Sequence, residues 1–166
     1  MKVLRARAWR AGPATFDIPD SASSVSGPKG WRFNDLAAEI LYAAEVEALA
    51  TLEVKVRPAW ETMQQVLIAT IEMPDGSLVN PADLGITLPG NWASRPVADD
   101  SRMIARELLE AVARLPGGVP RPAGLRVPSL LSATDCNILL DSSRKNEYSA
   151  RIMNRIPFRT FRATAS

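Results

Sequence analysis

Histidine does not occur anywhere in the 166-residue chain. Its absence removes every mechanism that needs an imidazole base, Ser-His-Asp and Cys-His arrangements included. Cysteine occurs once, at Cys136, so no disulfide can close within the chain and no Cys/His cluster can hold a metal. No uninterrupted apolar run approaches the length of a membrane span. Lys2, Arg5 and Arg7 have no apolar run behind them, so the N-terminus does not read as a signal peptide. A net charge of +2 is too small by itself to argue for direct nucleic-acid binding. No Gly-rich turn joins a strand to a helix, and Gly117-Gly118 follows a helix, so phosphate cradling of the P-loop or Rossmann kind is not indicated. These absences leave a cytoplasmic protein as the default expectation.

What is present suits an ordinary globule. With 46% hydrophobic and 23% charged residues, the length fits a single domain over residues 1–166 with a sizeable core. Residues 3–9 alternate as a half-buried strand does, and Arg10 ends it. Residues 11–30 read as a long Gly/Pro/Ser/Ala/Asp loop that rims whatever site Arg32 belongs to. A short strand over 40–43 precedes a helix over about 44–57, stopped by Pro58. Residues 66–73 form the strongest strand and look central, with a turn at Pro74-Asp75-Gly76. A second helix over 100–115 takes its caps from Asp99 and Ser101. Its apolar face is Ile104, Leu108, Ala111, Val112 and Leu115, and Arg106 and Glu110 pair on its polar side. Residues 125–127 form a short strand that delivers Ser129, and 146–161 give one or two Arg-rich strands interrupted near Pro157. Strands interleaved with two helices and long loops make the class α+β.

The first helix holds the most informative residue. At 100° per residue, Glu47, Thr51 and Lys55 share a solvated side, while Val46, Leu49, Ala50 and Val56 fall opposite. Glu53 lies in the middle of that apolar side. A carboxylate there is costly unless it is paired or used. It is either a helix-end Glu that snorkels or meets an Arg, or a catalytic acid whose desolvation is part of its task.

The same stretch carries a family pattern. Arg32-Phe33-Asn34 stands as an Arg-Trp-Asn element with Phe for Trp; Tyr42 closes a short strand; Leu52-Glu53-Val54 lies on the following helix. Downstream come Leu88-Pro89-Gly90-Asn91-Trp92, Val127-Pro128-Ser129, Asn137-Ile138-Leu139-Leu140-Asp141 and Ile156-Pro157-Phe158-Arg159. In order and spacing these resemble the RES domain family, named for an Arg, a Glu and a Ser, and the resemblance runs from Trp9-Arg10 to Phe161. It implies a fold like that of the ADP-ribosyltransferases, with two small β-sheets around an NAD cleft flanked by helices. It implies a toxin of a toxin–antitoxin pair that consumes NAD+ and needs no metal. Such a toxin would release nicotinamide and pass ADP-ribose to inorganic phosphate or water. Transfer to a protein is the alternative at the same site. A catalytically inactive module that only holds its antitoxin is the alternative from another class. The implied partner is an Xre-like antitoxin with a helix-turn-helix and a cleft-blocking segment, in a higher-order complex.

The resemblance assigns roles that the residue types suit. Cleavage of the nicotinamide–ribose bond leaves a cationic ribose carbon, which the Glu53 carboxylate would stabilise. Arg32 suits bidentate binding of the pyrophosphate, and Arg10 a second phosphate contact. The Tyr42 ring can stack on the cationic nicotinamide, or serve as a core aromatic with a satisfied hydroxyl. Ser129 offers a hydroxyl to a carboxamide, a ribose or an incoming phosphate; without His or a nearby Lys it does not read as a covalent nucleophile. Asn137 suits orienting a loop through backbone hydrogen bonds. Three departures stand out: Phe33 for Trp, Lys55-Val56-Arg57-Pro58 where many members continue to a His, and Asp141 for Asn. None removes Arg32, Tyr42, Glu53 or Ser129, which argues against the inactive module.

Overall fold

The computed structural model describes residues 5–13, 32–35, 38–56 and 65–157, and among them seven strands and three short α-helices build an α+β domain. The strands are β1 (Arg5–Pro13), β2 (Ile40–Ala44), β3 (Gln65–Pro74), β4 (Leu78–Val79), β5 (Gly124–Pro128), β6 (Cys136–Asp141) and β7 (Ser149–Pro157). The helices are α1 (Glu47–Lys55), α2 (Asp99–Arg102) and α3 (Ile104–Ala113). The sheet order is β4-β5-β6-β2-β1-β3-β7, antiparallel throughout except for β4 beside β5.

The sheet has a narrow waist. β1 runs against β3 from Arg5↔Pro74 to Pro13↔Val66, and β2 against β6 from Ile40↔Asp141 to Ala44↔Asn137. Between β1 and β2, by contrast, only Trp9↔Ala44 is in register. The two small sheets implied by the family resemblance are thus the blocks β4-β5-β6-β2 and β1-β3-β7, fused at one residue pair into a continuous sheet.

β3 lies between β1 and β7 rather than in the middle of the order. Val66, Leu67, Ile68, Ala69, Ile71 and Met73 on it are all buried, as an interior strand covered on both faces requires. β1 does not stop at Arg10. The strand continues to Pro13, with Arg10 opposite Ala69 and only 5% exposed. A charged residue fails to end a strand when its guanidinium finds a buried acceptor, and here Nη1 donates to the Tyr42 carbonyl at 2.9 Å. Residues 11–13 of the expected loop are therefore strand, and residues 14–30, like Pro58, lie outside the described residues.

α1 packs Leu49 and Ala50 against Ala44, Trp9 and Ala11, which lays it over the waist. Its buried side is Leu49, Ala50 and Val54. Val56, placed on the apolar side by helical periodicity, is 57% exposed because the helix ends at Lys55. The second helix is broken at Met103 into α2 and α3. Its cap is Ala98 rather than Asp99 or Ser101: Asp99 meets Arg102, and Asp100 accepts from the Ser101 N–H. The Arg106–Glu110 pair does not form, since Arg106 binds Asp35 and Glu110 binds Arg114 at 2.7 Å. Ile104, Ala105, Leu108 and Val112 bury the α3 face against Leu125, Val127, Leu139 and Phe33. Each of the larger side chains, Ile104, Leu108 and Val112, contributes about 1.5–3 kcal/mol by leaving water. The Ala105 N–H donates to the Phe33 carbonyl at 2.9 Å, fastening the segment that carries Arg32 onto α3. Among the described residues no helix is long and apolar enough to cross a membrane.

Candidate functional site

Three elements converge on the carboxylate of Glu53. α1 supplies Glu53, the end of β5 releases Ser129, and β6 supplies Asn137. The Asn137 Nδ2 donates to Glu53 Oε1 at 2.7 Å, and the Ser129 hydroxyl donates to the same oxygen at 3.2 Å. Ser129 is itself pinned, accepting from the Leu131 N–H at 3.0 Å. Glu53 is therefore neither snorkelling nor matched to an Arg in an ion pair among the described residues. It is held by two neutral donors, which fix its position without neutralising it. A carboxylate can only accept, so the Asn137 amide must face it with nitrogen, which leaves Oδ1 pointing elsewhere. That oxygen is buried and has no donor among the described residues.

A second group is organised by Tyr42. Its hydroxyl donates to Asn34 Oδ1 at 2.9 Å and accepts from the Phe33 N–H at 3.2 Å. Asn34 is buried, and its Nδ2 donates to the carbonyls of Asp35 and Ala38. Phe33 stacks on Trp92 with ring centroids 6.0 Å apart. The carbonyls of Trp92 and Ser94 receive Arg32 Nη1 at 2.7 and 3.0 Å. The Leu-Pro…Trp segment is thus the seat of Arg32, a link that no local pattern around Arg32 discloses. Burial, and then the nearby Arg95, hold the Arg32 guanidinium below its ordinary pKa, with Glu53 opposing them. It stays charged at neutral pH all the same.

Arg10 serves between the strands. Its bond to the Tyr42 carbonyl ties β1 to β2 beside the single register pair. The Asn137 side chain does not bind backbone as expected among the described residues; its Nδ2 goes to Glu53, and Asn137 is brought there by its pairing with Ala44 at the waist. Asp141 stands away from these groups and caps the turn Ser142–Glu147, accepting from the Ser143 N–H at 2.9 Å.

Glu53, Asn137, Tyr42, Trp9 and Arg10 line a small pocket of about 40 Å³ beside the waist. A larger cavity of about 670 Å³ opens elsewhere, between α3 and the Ser142–Glu147 turn. Size does not make it the better site. Its Arg144 is consumed by Glu147, at 2.9 and 2.5 Å, and by the carbonyls of Arg121 and Pro122.

The site thus joins a carboxylate fixed at a sheet waist to an arginine seated nearby, within an α+β domain. Residues 7–160 match the model of the RES domain, and the chain belongs to that family. A solved structure described as the M. tuberculosis MbcT-MbcA toxin-antitoxin complex shares the fold, with a TM-score of 0.63 at 14% identity over 97% of this chain and 91% of that one. No curated protein matches the chain.

Proposed function

We propose that this RES domain is the toxin of a toxin–antitoxin pair and cleaves the nicotinamide–ribose bond of NAD+. The observation that carries the reading is the Glu53 carboxylate fixed by Asn137 and Ser129 at 2.7 and 3.2 Å. When the bond breaks, its electron pair leaves with the nicotinamide nitrogen, which becomes neutral and needs little acid help. The ribose carbon becomes cationic. A fixed negative charge beside it lowers that barrier without reorganising at the moment of reaction. The hydrogen bonds from Ser129 and Asn137 both go to Glu53 Oε1, so Oε2 is the oxygen that would face the ribose. The orphaned Asn137 Oδ1 offers a buried acceptor for a ribose hydroxyl or carboxamide N–H. Arg32 carries the charge for the pyrophosphate, and phosphate or water then adds at the ribose carbon.

The Tyr42 hydroxyl is already engaged on both sides, so in this mechanism Tyr42 offers substrate its ring and fixes the Arg32 segment with its oxygen. The antitoxin would be an Xre-like helix-turn-helix protein in the same cytoplasm, assembled with the toxin into a larger complex. Support for that comes from family membership and from the described neighbour being a toxin–antitoxin complex.

Mass spectrometry of NAD+ incubated with the protein, with and without phosphate and with a cell lysate, tests the reading. Nicotinamide with phosphorylated ADP-ribose, or with ADP-ribose alone, is the expected outcome. ADP-ribose appearing on lysate proteins would move the reading to protein modification. Intact NAD+ in every arm would leave a binding module.

A further inference from the structure

Arg32 is not the only cation at its end of the site. It is bound to the Ser94 carbonyl at 3.0 Å, which places Arg95, the next residue, alongside. On the other side, the Ala105 N–H holds the Phe33 carbonyl, so the start of α3 and the α2 turn before it are docked against the residue that follows Arg32. α2 carries Arg102, whose side chain is only 15% exposed. Two independent attachments therefore bring the segments of three arginines together, and the electrostatic influence of Arg95 and Arg102 on Arg32 agrees with that placement.

Like charges gathered this way repel, and the neutralisation on hand is thin. Among the described residues Arg102 pairs with Asp99, which is 95% exposed and so screened by water. Arg102 Nε is buried and has no acceptor among the described residues. Arg95 is exposed and makes no ion pair among them. Glu53 lies near enough to Arg32 to oppose its deprotonation, yet the hydrogen bonds that hold its carboxylate come from the neutral donors Ser129 and Asn137. Arg32 thus stands under the influence of one carboxylate, Glu53, and of two further guanidiniums, Arg95 and Arg102.

We propose that Arg95 and Arg102 complete, with Arg32, an anion subsite that takes a phosphate group. Guanidiniums offer forked donors matched to phosphate oxygens, and an anion relieves both the mutual repulsion and the orphaned Nε–H. The phosphate has two possible sources, the pyrophosphate of the dinucleotide or a free phosphate acceptor. This inference rests on the reading of Glu53 as the ribose end, because that fixes which way the ligand lies.

The test measures binding of ADP, inorganic phosphate and nicotinamide riboside to the full chain by calorimetry, for the parent, Arg95→Gln and Arg102→Gln. Arg95 is exposed, so its variant reports binding even where Arg102→Gln folds poorly. A phosphate subsite predicts at least a 5-fold loss of ADP or phosphate affinity in Arg95→Gln, with riboside affinity unchanged. Loss for ADP alone identifies the pyrophosphate as occupant; loss for phosphate alone identifies the acceptor. Parent-like affinity for both anions in Arg95→Gln, or no anion binding by the parent, overturns the subsite. Anion binding that depends on Arg95 in a protein that leaves NAD+ intact would keep the subsite and remove the proposed reaction.

Discussion

Glu53 sets the first expectation at the scale of single residues. Glu53→Gln keeps an oxygen that Asn137 and Ser129 can still reach, so thermal unfolding should find stability changed by no more than about 1 kcal/mol. Turnover of NAD+ should fall by about 10²–10³, because the charge opposite the cationic ribose carbon is gone. Normal turnover in a folded Gln variant would remove Glu53 from the mechanism. Tyr42→Phe has a different signature. Deleting the hydroxyl strands the Phe33 N–H and Asn34 Oδ1, both at buried residues, at a cost of about 1–3 kcal/mol. The damage should spread to Arg32 and weaken binding of ADP, whereas loss of ring stacking alone would spare it. The sequence made Glu53 conspicuous because helical periodicity put a charge among apolar neighbours. It could not show which groups hold that charge, because Ser129 and Asn137 lie 76 and 84 residues away along the chain.

Elements were legible where their periodicity was strong and where no charge interrupted them. β3 and α3 follow from runs of Val, Ile and Leu, whereas the extension of β1 to Pro13 depends on a carbonyl that only the folded sheet brings to Arg10. Gly124 opens β5 for a reason that no turn signal conveys. A Cβ there would lie 2.4 Å from the Leu139 carbonyl oxygen and 2.7 Å from Leu140 Cδ2. Backbone cannot yield to that contact, so Gly124→Ala should destabilise by about 1–3 kcal/mol in denaturant unfolding and loosen the strands that carry Ser129 and Asn137. Ser101 in α2 points the other way. It is fully buried, and its hydroxyl has no partner among the described residues, so Ser101→Ala should be neutral or stabilising by up to about 1 kcal/mol. In the Ser142–Glu147 turn, the hydrogen bond from Arg144 draws the Glu147 carboxyl below its usual value. A depressed carboxylate stabilises above its unfolded pKa, and that contribution is lost as pH falls through the folded value. Glu147 is 47% exposed, so the effect is of surface size, about 0.2–1 kcal/mol. Glu147→Gln should flatten the acid limb of stability against pH and leave the neutral region little altered.

The whole molecule is two sheet blocks sharing one register pair, with the carboxylate of α1 laid across their junction. The family resemblance conveyed the two blocks; their fusion was illegible because no motif spans Trp9 and Ala44. The arrangement also has a temporal side. Glu53 leaves the ribosome long before Ser129 and Asn137 exist, and β2 has no β6 to pair with until residues 136–141 have been made. At a synthesis rate of about 5–20 residues per second, the interval between Glu53 and Asn137 lasts roughly 4–17 s. A growing chain that stalls in that interval has the charged residue but not its holders. If the proposed reaction holds, a translation abandoned before the second block is laid down yields a chain that cannot hold its carboxylate in place.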